Sequence, residues 1–270
     1  MALKSRREGT VHNYVTAYLK WKKWTLNYSE ISCFPAEHRF VSLYLLHLAN
    51  SSKTHSPISM AFYALSWVHK VSGLPDPTEH QLPRMVRDSA LRNIGSGNNK
   101  KLPLSTNDLL TLVLKFDTCN ISLLDLRTLT MCLIGFAGFL RYDELSKLKR
   151  SDIVFCDNYI KIFIEQSKTD LCREGKWVFI GSTGTLCCPV KMIKKYIKQA
   201  HIPDSSRKYI FRGMSYFSKK KIHKLRTADQ SLSYTRTREF MLEAFKGVGL
   251  NHKKLGTHSL RAGGGHRRGE

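Results

Sequence analysis

Apolar residues recur every three or four positions along most of this chain, a spacing that places them on one face of an α-helix. Four such segments fall within the first 94 residues and begin near Val11, Phe40, Ile58 and Pro83. The third segment ends at residues 73–77, Gly-Leu-Pro-Asp-Pro, because a helix does not continue through two prolines. The sequence therefore predicts an all-helical first part.

A polar connector separates this first part from the rest of the chain. Residues 95–103, GSGNNKKLP, lack apolar periodicity and combine glycine, asparagine and lysine as flexible linkers do. We therefore place a domain boundary there, with one domain over residues 1–94 and a second over residues 104–270. The second domain begins with Ser105 and Asp108 at the spacing of a capping box. Ser122 and Asp125 repeat that spacing and open an apolar helix that we expect to run into Arg141.

The apolar period changes in the middle of the second domain. Residues 159–164 and 177–180 are rich in β-branched and aromatic side chains, and a polar turn separates them. They predict a short antiparallel sheet with its hairpin tip near Lys168. Helical spacing returns over residues 190–200 and 236–248. The predicted fold class is mainly α with a small antiparallel β-sheet, α+β.

The charge of the chain indicates a polyanionic partner. Lysine and arginine total 44 against 21 acidic residues, a formal charge of +23, while 42% hydrophobic residues are typical of a folded chain. Seven cysteines without C-x-x-C spacing indicate a reducing, intracellular location without disulfides or a metal. We expect no secretory signal and no membrane span, because the longest uncharged stretch, 128–140, has 13 residues and a span needs about 20.

Three separated segments carry a recognisable pattern: GFLRYDELSKLKRSDI at 138–153, QSKTD at 166–170 and HSLR at 258–261. Together they resemble the tyrosine recombinases, also called phage-type integrases. In that family an arginine opens a helix that reads R-x-x-E-L-x-x-L-x-x-x-D-I. Arg141, Glu144, Leu145, Leu148 and Asp152 stand at those positions here. The turn at residues 73–78 is similar to that of recombinases from eukaryotic mobile elements.

The resemblance implies a fold, a partner and a set of site residues. It implies a two-domain DNA-breaking-rejoining architecture, with a helical core-binding domain over 1–94 and a catalytic domain over 104–270. It also implies double-stranded DNA as the partner, and DNA recombination and DNA integration as the activity. Arg141 and Arg261 would hold the phosphate, because planar guanidinium groups bind its oxygens in pairs. Lys168 would be the general acid and His258 a proton-exchanging donor, with no cofactor and no metal.

Two further features accompany these four residues. Glu144 is expected to be structural and to bond the backbone or a cation three residues away. A basic cluster comprises Lys219, Lys220, Lys221, Lys224 and Arg226. This cluster is predicted to contact DNA phosphates, to be a solvated loop, or to be a nuclear-import signal. The last reading applies if the host is eukaryotic and the protein is nuclear.

The family's nucleophilic tyrosine has no counterpart in these 270 residues. The resemblance places that tyrosine about thirty residues after the second arginine, whereas the last tyrosine here is Tyr234. Three glycines, 263–265, follow Arg261, and glycine disfavours helix there. We therefore expect a catalytic domain truncated after the H-x-x-R motif that binds phosphate without strand exchange. The same truncation is expected to uncover an apolar groove and to weaken self-assembly on DNA.

Two alternative functions remain open at this stage. One is a non-catalytic module that clamps duplex DNA between its domains and regulates intact copies. The other is a remnant of a type IB topoisomerase, which uses similar arginine, lysine, histidine and tyrosine chemistry. The segment at 138–153 favours the integrase version over the topoisomerase version.

Overall fold

The structure is a computed structural model that describes residues 6–94, 101–167, 170 and 174–266. The chain divides into two compact units, residues 1–99 and 100–270, and each is described by itself. Within the described ranges, no helix combines the length and the apolar character that a membrane crossing requires.

The first unit is built from four α-helices, as the apolar spacing predicts. They are α1 (Glu8–Thr25), α2 (His38–Ser51), α3 (Ser56–Val71) and α4 (Gln81–Asn93). Helix α1 packs against α3, and α2 packs against α4, around the buried side chains of Trp21, Val41, Leu45 and Leu65. The indole N–H of Trp21 donates to the Cys33 carbonyl at 2.9 Å, so this core aromatic is also tied to the loop that follows α1.

The predicted turn after α3 is held by one aspartate. Gly73 has a φ of +70°, a left-handed conformation that favours glycine. Asp76 then accepts hydrogen bonds from the backbone N–H of Thr78 at 2.8 Å and from the Ser66 hydroxyl at 2.6 Å. Because Ser66 lies on α3, this carboxylate fixes the turn to the helix that precedes it.

The second unit contains six α-helices and five short strands in its described residues. The helices are α5 (Thr106–Phe116), α6 (Leu123–Ala137), α7 (Tyr142–Ser146), α8 (Pro189–Gln199), α9 (Tyr234–Gly247) and α10 (Thr257–His266). The strands are β1 (Ile153–Phe155), β2 (Tyr159–Ile164), β3 (Lys176–Gly181), β4 (Met214–Phe217) and β5 (Ile222–Leu225). This composition confirms the predicted fold class.

Helix α6 is the centre of the second unit. It is buried along nearly its whole length and packs against α5, α8, α9 and α10. Strands β1, β2 and β3 form one antiparallel sheet, in which Ile160 pairs with Ile180 and Ile153 pairs with Ile162. These isoleucines are buried and belong to the same core as α6. The β2–β3 hairpin was predicted, but Lys168 itself lies outside the described residues.

Both predicted helix starts are confirmed, but the predicted end of α6 is wrong. Ser105 and Asp108 form a reciprocal capping box, and the Ser122 hydroxyl accepts from the Asp125 N–H at 3.1 Å. Helix α6 ends at Ala137 and does not run into Arg141. Phe139 adopts a left-handed conformation, and the Leu140 N–H donates back to the Gly135 carbonyl at 3.0 Å. This Schellman-type ending turns the chain before Arg141.

The prediction that the glycines after Arg261 break the helix is also wrong. Helix α10 continues through Gly263, Gly264 and Gly265 to His266. A Cβ on Gly263 would lie 1.8 Å from the Leu104 carbonyl oxygen, and one on Gly264 would lie 2.2 Å from the Phe136 carbonyl oxygen. Low helix propensity is therefore outweighed by a packing contact that only glycine permits.

One feature of the second unit was not predicted from the sequence. Strands β4 and β5 form a second antiparallel hairpin within the basic segment, in which Met214 pairs with Leu225.

The sequence predicted an apolar groove without giving its position. An apolar groove of about 710 Å³ lies between α5, the end of α6 and β3. Its lining includes Leu110, Phe139 and Phe179. The described cysteines are all free thiols.

Candidate functional site

Arg141 stands at the start of α7, where its own helix fixes it. Its backbone N–H donates to Glu144 Oε2 at 2.8 Å, and its Nη1 donates to Glu144 Oε1 at 2.8 Å. One carboxylate three residues later therefore caps the helix and holds the guanidinium. This confirms the structural role expected of Glu144. The side chain of Glu144 is 4% exposed and that of Arg141 is 24% exposed.

Ser167 joins the β2–β3 hairpin to this pair. Its hydroxyl donates to Glu144 Oε1 at 2.9 Å and accepts from Arg141 Nη1 at 3.1 Å. The residue is buried, and it immediately precedes Lys168 in the sequence. Ser167 was not predicted as a site residue, although its position next to Lys168 in the QSKTD segment could have indicated it.

Arg261, on α10 and 120 residues after Arg141 in the sequence, approaches the same carboxylate. Its Nη1 lies 4.0 Å from Glu144 Oε2, and its side chain is 40% exposed. The helix is held in place by the Ser259 hydroxyl, which accepts from the Gly256 N–H at 3.0 Å, and by buried Leu260. The two arginines are thus brought together at one carboxylate, and both remain partly open to solvent.

His258 lies one helical turn before Arg261 on α10. Residues three apart share a helix face, so the imidazole and the guanidinium lie on the same side of α10. His258 is exposed, whereas its neighbours Thr257 and Ser259 are buried. The structure therefore places three of the four predicted site residues on two adjoining elements, and Lys168 lies outside the described residues.

The electrostatics of Glu144 follow from these contacts. Burial alone would raise the pKa of Glu144, but the hydrogen bonds from the Arg141 backbone, the Arg141 guanidinium and the Ser167 hydroxyl outweigh it. The pKa of Glu144 is therefore lowered below its ordinary value, and the carboxylate is ionised at neutral pH. It neutralises part of the positive charge that the two arginines bring together.

The basic cluster occupies the β4–β5 hairpin and its end. Lys219 and Lys221 lie in the turn, Lys224 lies on β5, and Arg226 follows β5. These four residues are exposed, and the Lys224 ammonium lies 5.7 Å from the Phe217 ring centroid. The DNA contact stays a prediction.

No metal-binding group of three His, Cys, Asp or Glu side chains occurs among the residues that the structure describes. The candidate site is built from cations around one carboxylate. Such an arrangement binds an anion through charge-assisted hydrogen bonds.

Two curated relatives resemble this sequence. The integrase/recombinase XerD homolog of Selenomonas ruminantium is 25% identical over 265 residues, covering 96% of this chain and 73% of that protein. The recombinase Cre of Escherichia phage P1 is 26% identical over 200 residues, covering 71% of this chain and 55% of that protein. The chain thus spans about three quarters of one relative and about half of the other. No family model matches the sequence.

Solved structures of the same fold include two DNA complexes. The XerH site-specific recombinase bound to its palindromic difH substrate superposes with a TM-score of 0.61 at 15% identity, over 97% of this chain and 68% of that one. Lambda integrase residues 75–356 bound to DNA gives 0.55 at 16% identity, over 96% and 79%. The two sequence relatives come from a bacterium and a phage, and they do not support the eukaryotic type predicted above. The sequence relatives, the shared fold and the motif positions agree with one another, and they support the resemblance of this chain to the tyrosine recombinase/integrase family.

Proposed function

We propose that this chain binds double-stranded DNA and takes part in DNA recombination, holding one phosphodiester between Arg141 and Arg261. The observation that carries the proposal is the convergence of both guanidinium groups on Glu144, at 2.8 and 4.0 Å. The formal charge of +23 supports a polyanionic partner. The relatives named above as recombinases support DNA as that partner.

Glu144 and Ser167 orient Arg141 for this task. Nη1 carries two N–H groups, and these are directed to Glu144 and Ser167. The three remaining N–H groups, on Nε and Nη2, are then presented to the phosphate in a fixed plane. Arg261 supplies a second fork from α10. Charge that develops on the nonbridging oxygens during strand cleavage would be stabilised by both.

The remaining roles follow the family resemblance. His258, exposed beside Arg261, donates a hydrogen bond to the phosphate and occupies the position of the histidine that exchanges a proton with the attacking hydroxyl in the family. Lys168 occupies the position of the family's general acid, which protonates the leaving 5′-oxygen when a nucleophile is supplied. The first unit acts as the core-binding domain, residues 95–103 as the linker, and residues 104–270 as the catalytic domain. Lys219, Lys220, Lys221, Lys224 and Arg226 contact the DNA backbone, and copies of the chain assemble on DNA.

Salt dependence tests the DNA proposal. Six to ten phosphate contacts predict that log K falls linearly with log salt concentration, with a slope of about −5 to −9. Fluorescence anisotropy with a labelled duplex of random sequence, from 50 to 200 mM salt, measures that slope. A binding constant that does not change with salt would contradict the proposal.

Sequence preference distinguishes a recombinase-type protein from the non-catalytic clamp. A site-specific protein enriches an inverted repeat from a pool of random duplexes, whereas a general clamp binds all duplexes equally. Repeated selection and sequencing of the bound DNA gives that readout. Equal recovery of all sequences would favour the clamp.

The 270 residues are proposed to bind DNA without forming a covalent adduct. Tyr142, the tyrosine next to Arg141, donates a hydrogen bond from its hydroxyl to the Leu232 carbonyl. Burial raises the pKa of Tyr142, which disfavours the ionised form that a nucleophile needs. Incubation with a nicked duplex, followed by a denaturing gel, is expected to give no protein-DNA band. The Tyr142→Phe variant is the matched control. A band in the parent chain that this variant loses would make Tyr142 the nucleophile.

A further inference from the structure

One buried cation of the second unit has no acidic partner among the residues that the structure describes. Arg127 on α6 is 1% exposed, and its Nη1 donates to the Arg212 carbonyl at 2.8 Å. Its Nε and Nη2 have no hydrogen-bond partner among the described residues. A buried guanidinium stays charged, and an unpaired buried charge costs several kcal/mol. An anion beside Arg127 would remove that cost.

A cavity of about 480 Å³ adjoins Arg127 and is lined by cations. Its basic lining residues are Arg127, Arg226, Arg236 and His223, and none of the described aspartates and glutamates lines it. The guanidinium groups of Arg127 and Arg236 lie 4.9 and 5.1 Å from the centroid of the same ring, Phe240. Arg236 also pairs with exposed Glu239 at 2.9 Å, which leaves the cavity positive overall.

The start of α9 adds its own positive end to this cavity. Ser233 caps the helix by accepting from the Arg236 N–H, and both residues line the cavity. Free N–H groups at the start of a 14-residue helix attract anions. Burial, together with a smaller effect of nearby Arg236, lowers the pKa of Arg127 to about 10, and a bound negative charge would relieve both effects.

We propose that this cavity is a second phosphate-binding site, formed by Arg127, Arg226 and Arg236. Neither Arg141 nor Arg261, which are proposed to hold the first phosphate, lines it, and Glu144, which orients them, does not line it either. The phosphate belongs to the DNA backbone or to a free phosphoanion. Only the DNA source rests on the function proposed above.

The first arm of the test measures the free anion with pyrophosphate. It uses the full chain with Arg261→Ala, so that the first site does not contribute. Pyrophosphate at about ten times its dissociation constant, against sodium chloride of equal ionic strength, is expected to raise the melting temperature by about 3 °C. Arg226→Ala and Arg236→Ala are expected to abolish that rise. Arg238→Ala, an exposed arginine on the same helix outside the cavity, retains it.

Arg127→Met tests the buried cation directly. Methionine fills similar space without charge, so this variant is expected to fold and to show no response to pyrophosphate. If it does not fold, the exposed Arg226 and Arg236 variants still decide the outcome.

The second arm distinguishes the sources with duplex DNA. If the phosphate belongs to DNA, Arg236→Ala reduces the slope of log K against log salt by about 0.9 relative to Arg238→Ala. Equal slopes together with the pyrophosphate shift identify a free phosphoanion. The proposal of this site is overturned if the salt slopes are equal and pyrophosphate does not raise the melting temperature. It is also overturned if pyrophosphate raises the melting temperature equally in every variant. A parent chain that binds no DNA refutes the proposed function, while the pyrophosphate arm still decides this site.

Discussion

Gly263→Ala is expected to destabilise the second unit by about 3 kcal/mol or more. The added methyl group would lie 1.8 Å from the Leu104 carbonyl oxygen and 2.9 Å from the Phe136 ring, so α10 has to move away from α6. Backbone atoms cannot rotate aside as a flexible side chain does. Because α10 carries His258 and Arg261, the same displacement is expected to weaken phosphate binding. Chemical denaturation followed by circular dichroism measures the stability change.

Gly265→Ala is the matched control for this prediction. It lies in the same helix two residues later, and a Cβ there meets nothing within 4 Å. Alanine at this exposed position is expected to stabilise α10 by about 0.5 to 1 kcal/mol, because it loses less backbone entropy than glycine. Two alanine variants of equal stability would show that α10 does not pack in this way.

Glu144→Gln is expected to weaken DNA binding about tenfold, although it removes a negative charge from a DNA-binding surface. Glutamine lacks one of the two carboxylate oxygens that Arg141, Ser167 and Arg261 share. The two guanidinium groups then repel each other and lose their fixed planes. Stability is expected to fall by about 2 kcal/mol at pH 7, since the buried ion pair is broken.

Asp143→Asn separates orientation from charge. It removes the same charge one residue away, from a side chain that is 69% exposed and pairs only with Lys147 in the described contacts. This control is expected to leave binding unchanged or slightly tighter. If both variants tighten binding alike, Glu144 contributes charge alone and does not orient the arginines.

The pH dependence of stability follows from the same carboxylate. The pKa of Glu144 is lower in the folded chain than in the unfolded chain, so its stabilisation is complete above the unfolded value near 4.5. It is lost as pH falls below that value and through the lowered folded pKa. Glu144→Gln is expected to make the free energy of unfolding depend less on pH below about 4.5.

The sequence predicted those parts of the fold that depend on local spacing. Apolar periodicity located the helices, the Ser105–Asp108 spacing located a capping box, and the spacing of Arg141 and Glu144 placed an ion pair on one turn. The approach of Arg261 to that pair followed from motif order, because no local pattern relates residues 120 positions apart.

Features set by tertiary contacts were missed. Helix α10 passes through three glycines because Gly263 and Gly264 pack on backbone carbonyls of distant segments. The β4–β5 hairpin was not predicted, because the lysines between and within its strands interrupt the apolar alternation that indicates a strand. No local pattern marks Arg127 in the sequence, because its burial, its contact with the Phe240 ring and its bond to the Arg212 carbonyl are set by tertiary structure.

A double-mutant cycle on DNA binding tests the central claim that Arg141 and Arg261 bind the same phosphate. Arg141→Ala, Arg261→Ala and the double variant are compared at one low salt concentration, with folding checked by thermal melting. The control cycle combines Arg141 with Lys219 of the β4–β5 turn. If both arginines hold the same phosphate, the double variant loses less binding energy than the two single losses added together, by about 1 kcal/mol or more. Losses at Arg141 and Arg261 that add within about 0.5 kcal/mol, as expected for the control, would contradict the account.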